Sequence, residues 1–238
     1  MVTKNQIKLV ASLQQKKYRT QHKLFVVEGK KTVLELVEAG VKVYELFAET
    51  GIKLDQSIDY IELSKKDFKQ ISGQKTPSGI LGVFHIPETQ SIDETGWVVA
   101  LDAVRDPGNL GTIIRLCDWF GITQLVCSED TVDCYNPKVL QATMGSIARV
   151  NIIYVDFETY CQNTQLPLYG AFMDGDVVYA KQLPDSGILV LGNEANGISP
   201  KIEALVAERI AIPQFGKTTT ESLNVATAAA ILLNELRR

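Results

Sequence analysis

Near its C-terminal end the chain reads AIPQFGKTTTESLNVA, Ala211 to Ala226, and two kinds of chemistry compete for this stretch. Ala211, Gly216, Lys217 and Thr218 stand at the spacing of a relaxed phosphate loop, in which main-chain N–H groups and a lysine hold a nucleotide's phosphates. Ser222, Leu223 and Asn224 instead open an alanine-rich run. A helix capped by Ser222 offers free N–H groups to a ligand carboxylate. The phosphate reading meets three obstacles. Pro213 has no N–H to donate, Ala211 replaces the usual first glycine, and only 20 residues follow Thr218. Trp97 to Asp102 would still supply an apolar strand ending in a magnesium-binding aspartate, so an NTPase stays as an alternative.

Two more segments carry reactive or ligand-holding side chains. DAVRDPGNLG after Leu101 holds Asn109 and leads to Arg115, and GNEANG after Leu191 holds Glu194. Glycine-rich polar segments can be plain turns. Three of them at strand ends, however, converge where parallel sheets bind ligands.

The elements that must position these loops follow from periodicity and punctuation. Strands are expected at Trp97–Leu101, Gln124–Cys127, Asn151–Tyr154, Leu168–Phe172, Ile188–Leu191 and Arg209–Ile212. Helices are expected at Leu110–Phe120, Pro137–Ala148, Phe157–Asn163 and Pro200–Val206, with a last one from about Ser222. Apolar strands alternating with helices predict an α/β fold with a mostly parallel sheet covered on both faces. Before Pro87 the pattern is smaller: a Thr3-capped helix with Ile7, Val10 and Leu13 on one face, then strand Leu24–Val27. Helix Lys31–Ala39 closed by Gly40, strands Val43–Ala48 and Tyr60–Leu63, a Ser64-capped helix to Ile71, and strand Gly79–Phe84 follow. The polar segment PETQSIDETG separates the two regions. The division is therefore a small α/β domain at 1–87, a linker at 88–96 and a larger domain at 97–238.

Charge is divided the same way. Overall the chain carries a net −4, yet residues 1–90 hold 14 Lys/Arg against 10 Asp/Glu and the remainder 10 against 18. Residues 1–31 alone set eight basic groups against Glu28. Such a front end suits an anionic partner or is a solvated helix face. Cys117, Cys127, Cys134 and Cys161 form no C-x-x-C, and with only His22 and His85 beside them no zinc pattern arises. No metal is expected, and the thiols are expected to be reduced. No apolar run is long enough to span a membrane. The start, MVTKNQIKLVASLQQKKYR, lacks the apolar core and cleavage site of a secretory signal, so a cytoplasmic location is expected.

DPGNLGTIIRLCDWFG, LVLGNEANGIS and AIPQFGKTTTESLNVATAAAIL, in that order, resemble the three motifs of the SpoU branch of the SPOUT superfamily, the RNA 2′-O-ribose methyltransferases. KKYRTQHKLFVVEGKKTV and TPSGILGV resemble the small substrate-binding domain often fused to them. The resemblance implies a deep C-terminal trefoil knot, S-adenosylmethionine bound in it, a homodimer, and an RNA substrate, ribosomal or transfer. It also implies roles for individual residues. Arg115 is the motif arginine. A guanidinium with a pKa above about 12 is a poor base, so positioning the phosphate beside the target ribose suits it better. Asn109 fixes loop and ribose, and Glu194 orients the loops or meets Arg115. Gly192, Ile212 and Leu223 match cofactor-cradling positions, and Ser222 and Asn224 the element that orders the pocket. Lys16, Lys17, Arg19, Lys30 and Lys31 are the candidate RNA contacts of the basic domain. Gln141 and Thr143 stand where the family often has arginine and serine, with Lys138 close by. A catalytically silent RNA-binding module is the alternative from another class.

Overall fold

A computed structural model describes residues 2–216 and 222–238. Lys217 and Thr218, on which the phosphate-loop reading depends, lie outside the described residues. The chain forms two compact units: residues up to Glu88 with Tyr135–Ala148, and Thr89–Cys134 with Arg149–Arg238.

The first unit runs α1 (Lys4–Ser12), α2 (Lys16–His22), β1 (Leu24–Glu28), α3 (Lys30–Glu38), β2 (Val43–Glu49), β3 (Ile61–Leu63), α4 (Lys65–Ile71) and β4 (Ile80–His85). Its sheet has the order β1-β4-β2-β3, antiparallel except for the β2–β3 pair. Thr3 opens α1 through a capping box. Its Oγ1 accepts from the Gln6 N–H at 3.2 Å, and its own N–H donates to Gln6 Oε1 at 2.8 Å. That start angle sends Val10 and Leu13 into a core with Val26, Phe47 and Phe68. The helix α2 was not expected from the sequence. It is short and charged, and it ends at Lys23 in the left-handed region with φ 54°.

The second unit continues with β5 (Trp97–Leu101), α5 (Pro107–Trp119) and β6 (Gln124–Ser128). Next in the chain comes α6 (Pro137–Thr143), which belongs to the first unit and packs on β1 there, with Tyr135 against Phe25 at 4.9 Å between ring centroids. The expected division counts this segment with the C-terminal domain. The second unit then resumes with β7 (Asn151–Val155), α7 (Phe157–Asn163), β8 (Leu168–Val177), β9 (Gly187–Leu191), α8 (Pro200–Glu203), β10 (Glu208–Ala211) and α9 (Val225–Leu236).

Six strands in the order β10-β8-β9-β5-β6-β7 make one sheet, and every pair in it is parallel. The expected parallel α/β architecture is thus present. On one face Val98, Ala100, Ile188 and Val190 pack against Phe157 of α7 and Ile202 of α8. Their alternates Val99, Leu101, Leu189 and Leu191 are equally buried and point the other way. α5 packs against both β6 and α9. Strand order reverses between β5 and β9, since β6 and β7 extend to one side while β9, β8 and β10 extend to the other. A parallel sheet opens a crevice at the carboxyl end of such a switch.

Several boundaries differ from the sequence reading. The α5 helix starts at Pro107, not Leu110, because Asp106 caps it and proline fits its first turn. The helix expected over 137–148 stops at Thr143, where Met144 (φ 53°) and Gly145 (φ 99°) turn left-handed. Glycine is favoured at 145 because L side chains rarely adopt its φ, and a Cβ there would also crowd Glu35. β8 extends to Val177, five residues past Phe172, and α8 is only four residues long.

Candidate active site

The crevice at the carboxyl ends of the strands deepens into a cavity of about 640 Å³, within the range of small-molecule sites. All three chemical segments meet around it or beside it.

β9 ends at Leu191, and Gly192 begins the turn. A Cβ there would stand 2.2 Å from both Gly197 C and Ile198 N, main-chain atoms that cannot swing aside. Only glycine lets these two parts of the loop lie together. Asn193 then organises the turn. It exchanges main-chain hydrogen bonds with Gly197 at 2.9 and 2.8 Å, and its Oδ1 accepts from the N–H groups of Ala195 (2.9 Å) and Asn196 (3.2 Å). Its Nδ2 donates to Ala103 O at 2.8 Å, which ties this loop to the one after β5. Ala103 sits at φ 56°, a strained conformation for a residue with a Cβ. It is held there by Asn193 and by Ser128, whose Oγ accepts the Ala103 N–H at 2.8 Å.

Asp102, at the very end of β5, is 7% exposed. Its Oδ2 accepts the Ser199 N–H at 2.7 Å and so anchors the entry to α8. That bond gives the carboxylate a structural role. Asn193 is the loop-ordering residue that the motifs did not single out, and Asp102, read from the sequence only as a metal ligand of the NTPase alternative, is instead seen to hold the Ser199 N–H. An Asx turn within a glycine-flanked loop was the available signal for Asn193.

The side chains expected to do chemistry divide into two groups. Asn109, in the first turn of α5, donates its Nδ2 to Glu194 Oε1 at 2.7 Å and accepts at Oδ1 from Asn224 Nδ2 at 2.9 Å. One amide therefore joins one residue from each of the three motifs. Asn224 also caps α9, its Oδ1 accepting from the Ala226 and Thr227 N–H groups at 3.0 and 3.2 Å. This corrects the expectation of Ser222 as the cap. Gly192, Ile212, Ser222 and Leu223 line the cavity, as do Glu194 and Asn193, whereas Asn224 stands beside it.

Arg115 is apart from this network. It is exposed and makes no hydrogen bond or ion pair among the described residues. At 3.6 residues per turn it lies roughly 120° around α5 from Asn109. Of the two expectations for Glu194, the structure contains the ordering bond and not a bond to Arg115.

Of the five candidate RNA contacts, Lys16, Lys17, Lys30 and Lys31 are exposed, and Lys31 lies 3.9 Å from Glu35. Arg19 is different: it is 3% exposed, and its Nη1 donates to Leu13 O at 2.8 Å. It satisfies the end of α1 from within, so its expected role as an RNA contact is corrected to a structural one.

Thiol chemistry does not enter the site. None of the four cysteines is in a disulfide, and all are buried. Burial, with help from Asp118, pushes the Cys117 thiol up to about 12, and burial beside Asp102 does the same for Cys161. Among the described residues no group of three or more His, Cys, Asp or Glu is placed to hold a metal. No described helix is long and apolar enough to cross a membrane.

Comparison with known proteins gives this geometry a family. A model described as the SpoU rRNA Methylase family matches residues 96–234, and the chain belongs to that family. A second, described as an MRM3-like substrate binding domain, matches residues 4–82. Among curated relatives, the 23S rRNA (guanosine(2553)-2′-O)-methyltransferase RlmP of Bacillus subtilis (strain 168) is 33% identical, over 98% of this chain and 97% of that protein. Among solved structures, a TrmH-family chain from Porphyromonas gingivalis superposes with a TM-score of 0.89 at 39% identity, covering 100% of this chain and 98% of its own. An AdoMet-bound rRNA methyltransferase from Sinorhizobium meliloti superposes at 0.85 with 27% identity, covering 100% and 95%.

Proposed function

We propose that this chain transfers a methyl group from S-adenosylmethionine to a ribose 2′-hydroxyl of ribosomal RNA. The observation that carries the reading is the Glu194–Asn109–Asn224 hydrogen-bond chain, which assembles the three motif segments beside a cavity of cofactor size. The full-length similarity to RlmP, a 23S rRNA 2′-O-methyltransferase, supports the substrate class.

The residues present fit the cofactor. Ile212, Leu223, Ala228 and Leu232 give the cavity apolar walls for a nucleobase, and the turns at Gly192 and Pro213 bring main chain to its surface. When bound, the cofactor supplies an electrophilic methyl on a sulfonium. The chain's own work is placement. Transfer needs the hydroxyl oxygen held close to and in line with the methyl, and that orientation lowers the barrier most. The Asn109 network fixes the loops that frame the ribose. Arg115, permanently charged and without a partner among the described residues, holds an adjacent phosphate. The deprotonated form of a guanidinium is too scarce for it to serve as the base.

The exposed position of Arg115 also supports an active site completed at a subunit interface, hence a homodimer. We read the C-terminal segment as the knot implied by the family, with β10 beside β8 and α9 against α5. The exposed lysines of the first unit supply phosphate contacts, and the working location is the cytoplasm. Calorimetric titration with S-adenosylmethionine, with ATP and magnesium as control, tests the reading. Binding of the first alone is expected, and binding of ATP alone refutes it.

A further inference from the structure

The first unit, of which residues 4–82 match a substrate binding domain, contains a second cavity, of about 480 Å³, that none of the motifs assigns. Its floor is apolar, made by Val26, Leu81 and Leu140, which are 4% exposed or less. Its rim carries three amides, Gln14, Gln74 and Gln141, and two ammonium groups, Lys75 and Lys138. None of these five side chains makes a hydrogen bond or ion pair among the described residues.

The wall is built rather than incidental. Glu28, at the end of β1, accepts at Oε1 from Ser72 Oγ (2.7 Å) and the Ser78 N–H (3.1 Å), and at Oε2 from the Gly73 N–H (3.2 Å). One carboxylate thereby pins the 72–78 loop that carries Gln74 and Lys75. Gly73 lies against Gln14 so closely that a Cβ would stand 2.9 Å from its Nε2. On the other side α6, which packs on β1 within the same unit, supplies Lys138 and Gln141.

We propose that this cavity holds one unstacked nucleotide of the RNA substrate, with its base between the apolar floor and the three amides and its flanking phosphates on Lys75 and Lys138. The proposal rests on the RNA reading above. An amide presents both donors and an acceptor, so the rim can match a base edge, while free ammonium groups suit phosphate. Sequence-specific recognition of RNA takes unstacked bases in such pockets. The chain also places Lys16 and Lys17 just after Gln14, and Lys30 and Lys31 just after Glu28, so the cavity sits where the basic residues of the first unit concentrate.

The test uses the full chain and an unmethylated 23S rRNA transcript made with 4-thiouridine. Filter binding across a salt series is compared for wild type, Lys75→Ala/Lys138→Ala and Gln74→Ala/Gln141→Ala, with S-adenosylmethionine affinity as the control for folding. The lysine pair should lower the slope of log K against log salt by about 1.4 to 1.8, two phosphate contacts. The amide pair should leave that slope intact and raise the KM for RNA about tenfold, the loss of two ordinary hydrogen bonds. Photocrosslinks should map to residues 74–76 and 138–141. Wild-type binding and KM in both variants, with crosslinks elsewhere, would overturn the proposal and leave the methyltransferase reading standing. A wild-type chain that neither binds nor methylates the transcript would remove the reading beneath it, and the proposal with it.

Discussion

Asn224→Asp separates two roles that one side chain performs. Asn224 Oδ1 caps α9 with two hydrogen bonds, while Nδ2 donates to Asn109 Oδ1 at 2.9 Å. Aspartate caps as well as asparagine and adds charge complementarity with the helix N-terminus. Stability should therefore stay within about 0.5 kcal/mol, or about 2 °C in Tm for a chain of this size. Asn224→Ala, by contrast, loses the cap, worth about 1 kcal/mol, and should melt about 2–4 °C lower. In the aspartate variant Asn109 is left between two carboxylates, Glu194 and the new one, with a single NH₂ to offer. One hydrogen bond is lost and one acceptor pair is repulsive. Discounted for solvent exposure, that is about 1–3 kcal/mol of site order, or about 5- to 150-fold in kcat/KM. Thermal melts, S-adenosylmethionine titration and single-turnover methyl transfer on one preparation make the comparison. Wild-type kcat/KM in Asn224→Asp would refute the ordering role of the Asn109 network. A melting loss as large as that of Asn224→Ala would refute the capping assignment.

Other predictions follow from the same geometry. Arg115→Ala should abolish methyl transfer and leave both Tm and cofactor affinity nearly unchanged, because this side chain has no described partner; loss of cofactor binding would make its role structural. Gly192→Ala forces a methyl into main chain at 2.2 Å and should cost about 1–3 kcal/mol of stability and remove calorimetric S-adenosylmethionine binding. The buried thiols should resist alkylation at pH 8 in the native chain and react fully in denaturant. Because the folded thiols of Cys117 and Cys161 titrate at about 12 and unfolded thiols near about 8.5, their contribution is complete below the lower value and is lost as pH rises between the two. Denaturant midpoints measured from pH 7 to 11 should fall accordingly.

The parallel sheet was legible because its strands are continuous apolar runs between turn residues. β5 and α7 begin and end where periodicity places them. Other features were hidden for identifiable reasons. α2 is seven residues with no apolar stripe, and it is held by packing on β1 and by the inward Arg19, neither of which periodicity shows. The start of α5 was written in Asp106-Pro107, a cap followed by a favoured first residue, but the glycine of DPGN read as loop. Ser222 and Asn224 are both good caps, and sequence has no means to choose between them. The choice comes from Asn109, 115 residues away, which holds the amide in place. The same limit applies to Arg19: counting charges finds a basic segment but cannot tell which member turns inward. Motif order did place the three chemical segments at one end of the sheet. It did not reveal that a single amide joins them, nor that Asn193 and Asp102 fasten the loops behind it.

Ribose methylation by this chain is read out by incubating it with unmodified 23S rRNA transcript and S-adenosylmethionine labelled in its methyl group, then digesting the RNA with alkali. A methylated 2′-oxygen cannot attack the neighbouring phosphate, so label is expected in an alkali-resistant dinucleotide, absent with Arg115→Ala. Label in an alkali-released mononucleotide would place the methyl on a base, and no label in RNA would mean that the assembled site does not perform the transfer; either result rules out 2′-O-methylation by this chain.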